Sequence, residues 1–295
     1  MAAKSESFSF PSLSGRADIA ARAWLPEGPP KAMVQLLHGL NQSMEDCESL
    51  GRFLADRGYL AYGQDILGHG KTVGEKGIPG FFAPEKGDDY VLADILTLQK
   101  DMIKAYPNLR AFMIGHSMGS FFLRRILIEY PELCQGAVLM GNGHMSRSEY
   151  RFARGLGKFL AFTHKEAYRP GIIGRFGIRV LNHTLWIPQD APDHPTIELY
   201  LDLVHTLGLL RKEENVLKMD PDCPILILYG GLDPLGKFGK VGPYLASLFQ
   251  QGGNQYVSLK AYPKARHELL TDPEAPGVME DILLWLDALC KMEDL

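Results

Sequence analysis

Short apolar runs alternate with amphipathic stretches along most of the chain. Residues 19–25 read as a strand, and residues 32–37 as a second, buried one that ends at His38-Gly39. Residues 46–58 follow as an amphipathic helix carrying Phe53 and Leu54, with Gly58 as its stop, and residues 59–64 form the next strand. Asp88 and Asp89 suit the start of a helix whose apolar positions Val91, Ile95, Leu98 and Met102 keep a helical step, with Pro107 just past its end. Residues 111–115 are a strand, residues 118–130 a helix closed by Pro131, and residues 136–141 a further strand. Later come strands at 224–229 and 255–262 around a helix at 242–250. A last helix places Ile282, Trp285, Leu286 and Leu289 on one face.

Strands that alternate with helices predict an α/β fold, a mostly parallel sheet with helices on both faces. The rhythm breaks once, between Asn142 and Asp220, where the pattern is helical or irregular. The expected organisation is therefore a core made of residues 1–141 and 221–295, interrupted by a helical cap at 142–220.

Composition narrows the function classes. The chain has 295 residues, 46% hydrophobic and 22% charged, with a formal net charge of −4, an ordinary balance for a globular enzyme. That charge offers nothing to nucleic acid, which favours a strongly basic domain. No run of about 18 apolar residues predicts a membrane span, and the first ten residues lack the apolar stretch of a secretory signal. Cys47, Cys134, Cys223 and Cys290 are scattered and read as reduced, mostly buried thiols. The expected location is cytoplasmic. Neither a thiolate zinc site, an H-E-x-x-H, a G-x-G-x-x-G after the first strand nor a P-loop is present, so no metal and no cofactor is expected.

The chemistry concentrates in Gly115-His116-Ser117-Met118-Gly119, a G-x-S-x-G between a strand and a helix. A turn there lifts the serine hydroxyl to the edge of the sheet and leaves helix N–H groups free for a developing oxyanion. A serine nucleophile needs a base and an orienting acid, in the chain order Ser, Asp or Glu, His. His267 follows the last strand, and Asp233, in Gly230-Gly231-Leu232-Asp233-Pro234, follows the strand before it. Taken singly, a loop histidine and an Asp-Pro turn mean little. In this order, each at a strand end, they form a candidate triad. The other slot where an acid can stand reads Gly141-Asn142-Gly143 and holds no carboxylate. Backbone N–H groups of Met118 and of Leu40, in His38-Gly39-Leu40, are the candidate oxyanion donors. His38 reads as a loop organiser, the Asp65 to Gly70 turn as structural, and Glu268 and Asp272 as carboxylates of the loop leading to the last helix.

Together with Asp65 through Gly70, Asp233-Pro234-Leu235, Tyr262-Pro263 and Arg266-His267-Glu268-Leu269-Leu270, these segments resemble the serine α/β-hydrolases of the monoacylglycerol lipase and bacterial lysophospholipase group, related to the serine aminopeptidases. The resemblance implies the α/β-hydrolase fold, Ser117, Asp233 and His267 as triad, no cofactor, and hydrolysis of a small-molecule acyl ester, commonly of an acyl lipid. Thioesterase, short-ester carboxylesterase, small-residue aminopeptidase and non-catalytic binding readings stay open, because one nucleophile serves them all.

Inside the cap the resemblance is weaker, resting on residues 185–190 and 200–202 and departing at Pro188-Gln189. Phe152, Phe159 and Trp186 are the candidate substrate-binding side chains. Between residues 144 and 180, eight Lys and Arg face only Glu149 and Glu166, interleaved with apolar residues. The plain reading is a solvated helix face over an acyl pocket. The same pattern also suits a lid that touches anionic lipid transiently.

Overall fold

The computed structural model describes residues 4–74, 77–169 and 195–292. Its strands are β1 (Lys4–Pro11), β2 (Asp18–Leu25), β3 (Met33–Leu37), β4 (Leu60–Gln64), β5 (Ala111–His116), β6 (Ala137–Met140), β7 (Ile225–Gly230) and β8 (Val257–Tyr262). They form one sheet in the order β1-β2-β4-β3-β5-β6-β7-β8. The first two pairings, β1 with β2 and β2 with β4, are antiparallel, and all the others are parallel.

This is the sheet that the alternation predicts, with one addition. The segment KSESFSFP forms the edge strand β1, which no apolar run announces because nearly all of it is exposed. Strands β3 to β6 are buried along their whole length. Burial on both faces is why they read as continuous apolar runs rather than as alternation.

Helices α1 (Glu48–Ala55), α2 (Gly87–Ala105), α3 (Met118–Glu129), α7 (Val241–Gln251) and α8 (Ala275–Lys291) cover the sheet. On one face, Ile95 of α2, Phe122 and Ile126 of α3 and Leu245 and Phe249 of α7 pack with Met113, Leu139 and Ile227 of the strands. On the other, Leu50 and Leu54 of α1 and Ile282 and Leu286 of α8 pack with Phe112, Ile114, Val138 and Leu228. Successive strand residues thus serve opposite cores.

Between β6 and β7 lie α4 (Arg147–Thr163), α5 (Ile197–Leu210) and the single turn α6 (Glu213–Val216). The two strands nevertheless pair directly, Ala137 beside Ile225, so the helices are inserted between neighbouring strands. Helix α4 begins with a capping box, in which the Ser146 hydroxyl accepts from the Glu149 N–H and the Glu149 carboxylate accepts from the Ser146 N–H.

Helix α5 is held to the core by charge. Asp88 Oδ2, at the start of α2, accepts from Arg125 Nη1 at 3.0 Å, His205 Nδ1 at 2.8 Å and Thr206 Oγ1 at 2.9 Å. Arg125 also reaches Asp89 and Glu129, each at 2.9 Å. Nearby, burial and the charge of Asp88 push the Asp202 carboxyl up to about 8, so it holds its proton at neutral pH beside its charged neighbour. Among the described residues no helix is long and apolar enough to cross a membrane.

The side chains of Arg125 and Asp88 are 5% and 2% exposed, so removing one partner strands the other in the interior. Breaking a buried pair costs about 3–5 kcal/mol. Arg125→Met is therefore expected to lower the unfolding free energy by about 3 kcal/mol in urea titrations at neutral pH. A loss below about 1 kcal/mol, the range of surface pairs, would contradict this account of the junction.

Candidate active site

The parallel register brings the carboxyl ends of β3, β5, β6, β7 and β8 to one edge, where a switch in strand order leaves room for ligands. Ser117 sits between β5 and α3 with φ 50° and ψ −116°. A positive φ on a side chain other than glycine costs about 1–3 kcal/mol and persists only where the surroundings impose it. Here the flanking glycines allow the close packing that surrounds the turn. A Cβ on Gly115 would lie 2.7 Å from the Gly119 carbonyl oxygen. One on Gly119 would run into the Leu37 carbonyl and come within 2.8 Å of the His38 carbonyl oxygen. The Ser117 N–H donates to the Met140 carbonyl at 2.9 Å, which ties the turn to β6.

His267, in the loop after β8, lies with Nε2 2.8 Å from the Ser117 Oγ and Nδ1 2.9 Å from Asp233 Oδ2. All three side chains are buried. Asp233 Oδ1 accepts from the Leu235 N–H at 2.8 Å, so both carboxylate oxygens are satisfied. Burial drives the His267 imidazole toward its neutral form, but the hydrogen bond and charge of Asp233, with the charge of Glu268, outweigh it and raise its pKa above the ordinary value. A serine hydroxyl facing an imidazole whose other nitrogen is held by a carboxylate is equipped to lose its proton as it attacks.

The loop after β3 is pinned from below. His38 Nδ1 donates to the Gly39 carbonyl at 2.7 Å, and its Nε2 accepts from the Ile66 N–H at 2.8 Å. Burial lowers the His38 pKa to about 4, which keeps it in the neutral form this pairing needs. Because a peptide is planar and trans, the Leu40 N–H points away from the Gly39 carbonyl. It has no hydrogen-bond partner among the described residues. Met118 opens α3, so its N–H has no partner within the helix.

The Asp65 to Gly70 turn supports these loops. Asp65 accepts from the Met44 and Lys71 N–H groups at 2.7 Å each, and the His69 ring lies 5.4 Å from that of His38.

Three residues that the sequence did not single out as site residues join the group. Gln42 Oε1 accepts from the Gly39 N–H at 2.7 Å and lies 3.1 Å from His116 Nδ1. Gln42 Nε2 donates to Glu268 Oε2 at 2.7 Å, and His116 Nε2 lies 3.1 Å from the His267 carbonyl oxygen. Gln42 and Glu268 are 226 positions apart, so no local pattern could reveal the pair. His116, His267 and Glu268 also place candidate ligand atoms within 4.8 Å of one another. Their ring nitrogens, however, already face the partners just named.

Of the other sequence-read residues, Asn142 is buried after β6 in the slot without a carboxylate. Phe152 and Phe159 stand on α4 and are 74% and 63% exposed. Trp186 lies outside the described residues.

A family model described as serine aminopeptidase, S33, matches residues 28–274. The chain belongs to that family. Within the S33 family it resembles the human (Homo sapiens) monoglyceride lipase, 29% identical over 274 residues that cover 91% of this chain and 86% of the relative. A carboxyl esterase from Bacillus coagulans, solved in complex with glycerol, superposes with a TM-score of 0.85 at 23% identity, covering 98% of this chain and 99% of the other. A monoglyceride lipase from Saccharomyces cerevisiae, solved with a substrate analogue, superposes with a TM-score of 0.71 at 18% identity, covering 98% and 96%. Those two likenesses establish the fold, which is that of the α/β-hydrolases. The S33 chain is an esterase- or lipase-like serine hydrolase of the monoacylglycerol lipase group.

The His267 ring is expected to titrate above about 6.5 by NMR in the wild type, and to drop below that value in Asp233→Asn, where burial is left to dominate. An unchanged titration in the variant would contradict the electrostatic account. His69, which burial lowers to about 3, stays neutral throughout.

Proposed function

We propose that this protein hydrolyses single-chain carboxylic esters such as monoacylglycerol or lysophospholipid through an acyl-enzyme on Ser117. The observation that carries the reading is the unbroken line from the strained Ser117 to His267 Nε2 at 2.8 Å and from His267 Nδ1 to Asp233 at 2.9 Å. His267 accepts the Ser117 proton as the hydroxyl oxygen attacks the ester carbonyl. The tetrahedral oxyanion is held by the Leu40 and Met118 N–H groups. As the intermediate collapses, the ester C–O bond breaks and His267 returns the proton to the departing alcohol. Water, deprotonated by His267, then attacks the acyl carbonyl, and Ser117 leaves with that proton. Asp233 keeps Nδ1 protonated and stabilises the imidazolium.

Residues 142–220 act in this reading as a cap over the acyl site, and the fatty-acyl chain passes Phe152 and Phe159. Their exposure, with that of Phe162 at 89%, suits residues that meet a chain arriving from a lipid surface. Arg147, Arg151, Arg154 and Lys158 on the same helix suit transient contact with anionic headgroups. Such a substrate is reached from the cytoplasm, and neither metal nor cofactor takes part.

Removing the nucleophile of a triad costs about 10⁶ in kcat. Ser117→Ala is expected to lose p-nitrophenyl ester turnover to about that extent, and to lose labelling by a fluorophosphonate probe. Across monoacylglycerols and p-nitrophenyl esters, kcat/KM is expected to rise with acyl length. Its acid limb is centred above about 6.5, since neutral His267 is the base. Turnover or labelling that survives in Ser117→Ala would overturn the reading, and a preference for aminoacyl amides would replace the substrate class.

A further inference from the structure

Gly39 has both peptide groups engaged before any substrate arrives. Its N–H donates to Gln42 Oε1 at 2.7 Å. Its carbonyl accepts from His38 Nδ1 at 2.7 Å and from the Gln42 N–H at 3.3 Å. The Leu40 N–H shares a rigid plane with that carbonyl, so whatever sets the Gly39 peptides also sets the direction of this N–H.

The Gln42 amide has only one orientation that fits. Its oxygen must face the Gly39 N–H and its nitrogen must face the Glu268 carboxylate, 2.7 Å away. Glu268 follows the base directly, and His116 precedes the nucleophile directly. His116 spans the same space, 3.1 Å from Gln42 on one side and 3.1 Å from the His267 carbonyl oxygen on the other. A neutral His116 can donate to only one of these oxygens, so it is Gln42, bonded to the Gly39 N–H and to Glu268, that ties the loop after β3 to the base loop, with His116 of the serine turn packed between them. The site has no room for a looser version. A Cβ on Gly39 would lie 2.6 Å from Gln42 Oε1 and 3.1 Å from both Ser117 Cβ and His116 Nδ1.

We propose that Gln42, anchored by Glu268 and packed beside His116, is a positioning residue that aims the Leu40 N–H at the developing oxyanion and fixes that aim relative to His267. This rests on the acyl-enzyme reading of Ser117. Gln42 touches no reacting atom in this role; its side chain acts through Gly39, whose N–H it holds and whose carbonyl shares a plane with the Leu40 N–H. A displacement of about 1 Å in such a group costs about 10²-fold, and a lost oxyanion donor costs about 10²–10³-fold.

The test compares Q42A, Q42E and the double variant Q42E/E268Q, with kcat, KM and the affinity for a trifluoromethyl ketone that forms a tetrahedral adduct. Q42A is expected to lose about 10²-fold in kcat with KM within about threefold, and to bind the ketone more weakly by the same factor as kcat/KM. Q42E places two carboxylates in hydrogen-bond contact, which must share a proton, so its activity falls as pH rises. Q42E/E268Q reverses donor and acceptor, and is expected to recover activity to within about fivefold of wild type and to lose that pH dependence.

A folded Q42A with kcat within about threefold of wild type, or with unchanged ketone affinity, overturns the proposal. If Q42A does not fold, a double variant no better than Q42E overturns it. Ser117→Ala separates the two levels. If that variant is silent while Q42A is active, the positioning role alone fails. If it retains turnover, the acyl-enzyme reading fails with it.

Discussion

The approach of Gly119 to the backbone of Leu37 and His38 is the constraint from which the site follows. Without a Cβ at Gly119, the first turn of α3 presses against the end of β3, and Ser117, two residues before it, takes a positive φ in the turn. That contact sets two things at once. It raises the serine hydroxyl above the sheet edge, and it places the loop carrying Leu40 beside the start of α3. Ser117 and both candidate oxyanion donors are thereby registered by backbone packing, before any side-chain hydrogen bond is counted. A local strain of about 1–3 kcal/mol is small against a core made of an eight-stranded sheet and five covering helices, and the core sustains it.

Histidine serves opposite purposes within a few ångströms. His38 and His69 are fully enclosed, burial dominates, and both stay neutral, His38 as a fixed donor and acceptor and His69 facing the Leu67 carbonyl through Nδ1. His267 is nearly as buried, but it meets a carboxylate that is itself fully hydrogen-bonded. There the charged form is favoured enough to raise the pKa, which suits the base role proposed for it. The difference lies in the partner rather than in the depth of burial. The junction with the inserted helices uses the same currency, since Asp88 is charged among Arg125, His205 and Thr206 while Asp202 beside it keeps its proton.

What the sequence reveals and what it hides divide along physical lines. The buried strands are legible because two-sided burial writes them as apolar runs, and α8 is legible because Ile282, Leu286 and Leu289 keep the helical period against the sheet. Ser117 stands out because a tight turn demands glycines at fixed offsets. Asp233 and His267 are found through chain order and strand ends, and they meet across 34 residues. Strand β1 is hidden because an exposed edge needs no hydrophobic signature. Gln42 and Glu268 are hidden for another reason: each is an ordinary polar loop residue until the fold sets them 2.7 Å apart. The inserted helices are legible as helices, but what they cover is a matter of tertiary packing, which periodicity does not encode.

The inserted helices are held to the core by buried charge and expose Phe152, Phe159 and Phe162, which suits the proposed function as a cap that receives an acyl chain. The central claim is that acyl transfer passes covalently through Ser117. Rapid mixing with a p-nitrophenyl ester, followed by acid quench and mass spectrometry of the digested protein, tests it most directly. The account predicts a burst of nitrophenol together with one acyl group on the peptide that contains Ser117. Turnover without any covalent adduct, or with the acyl group on another residue, would contradict it.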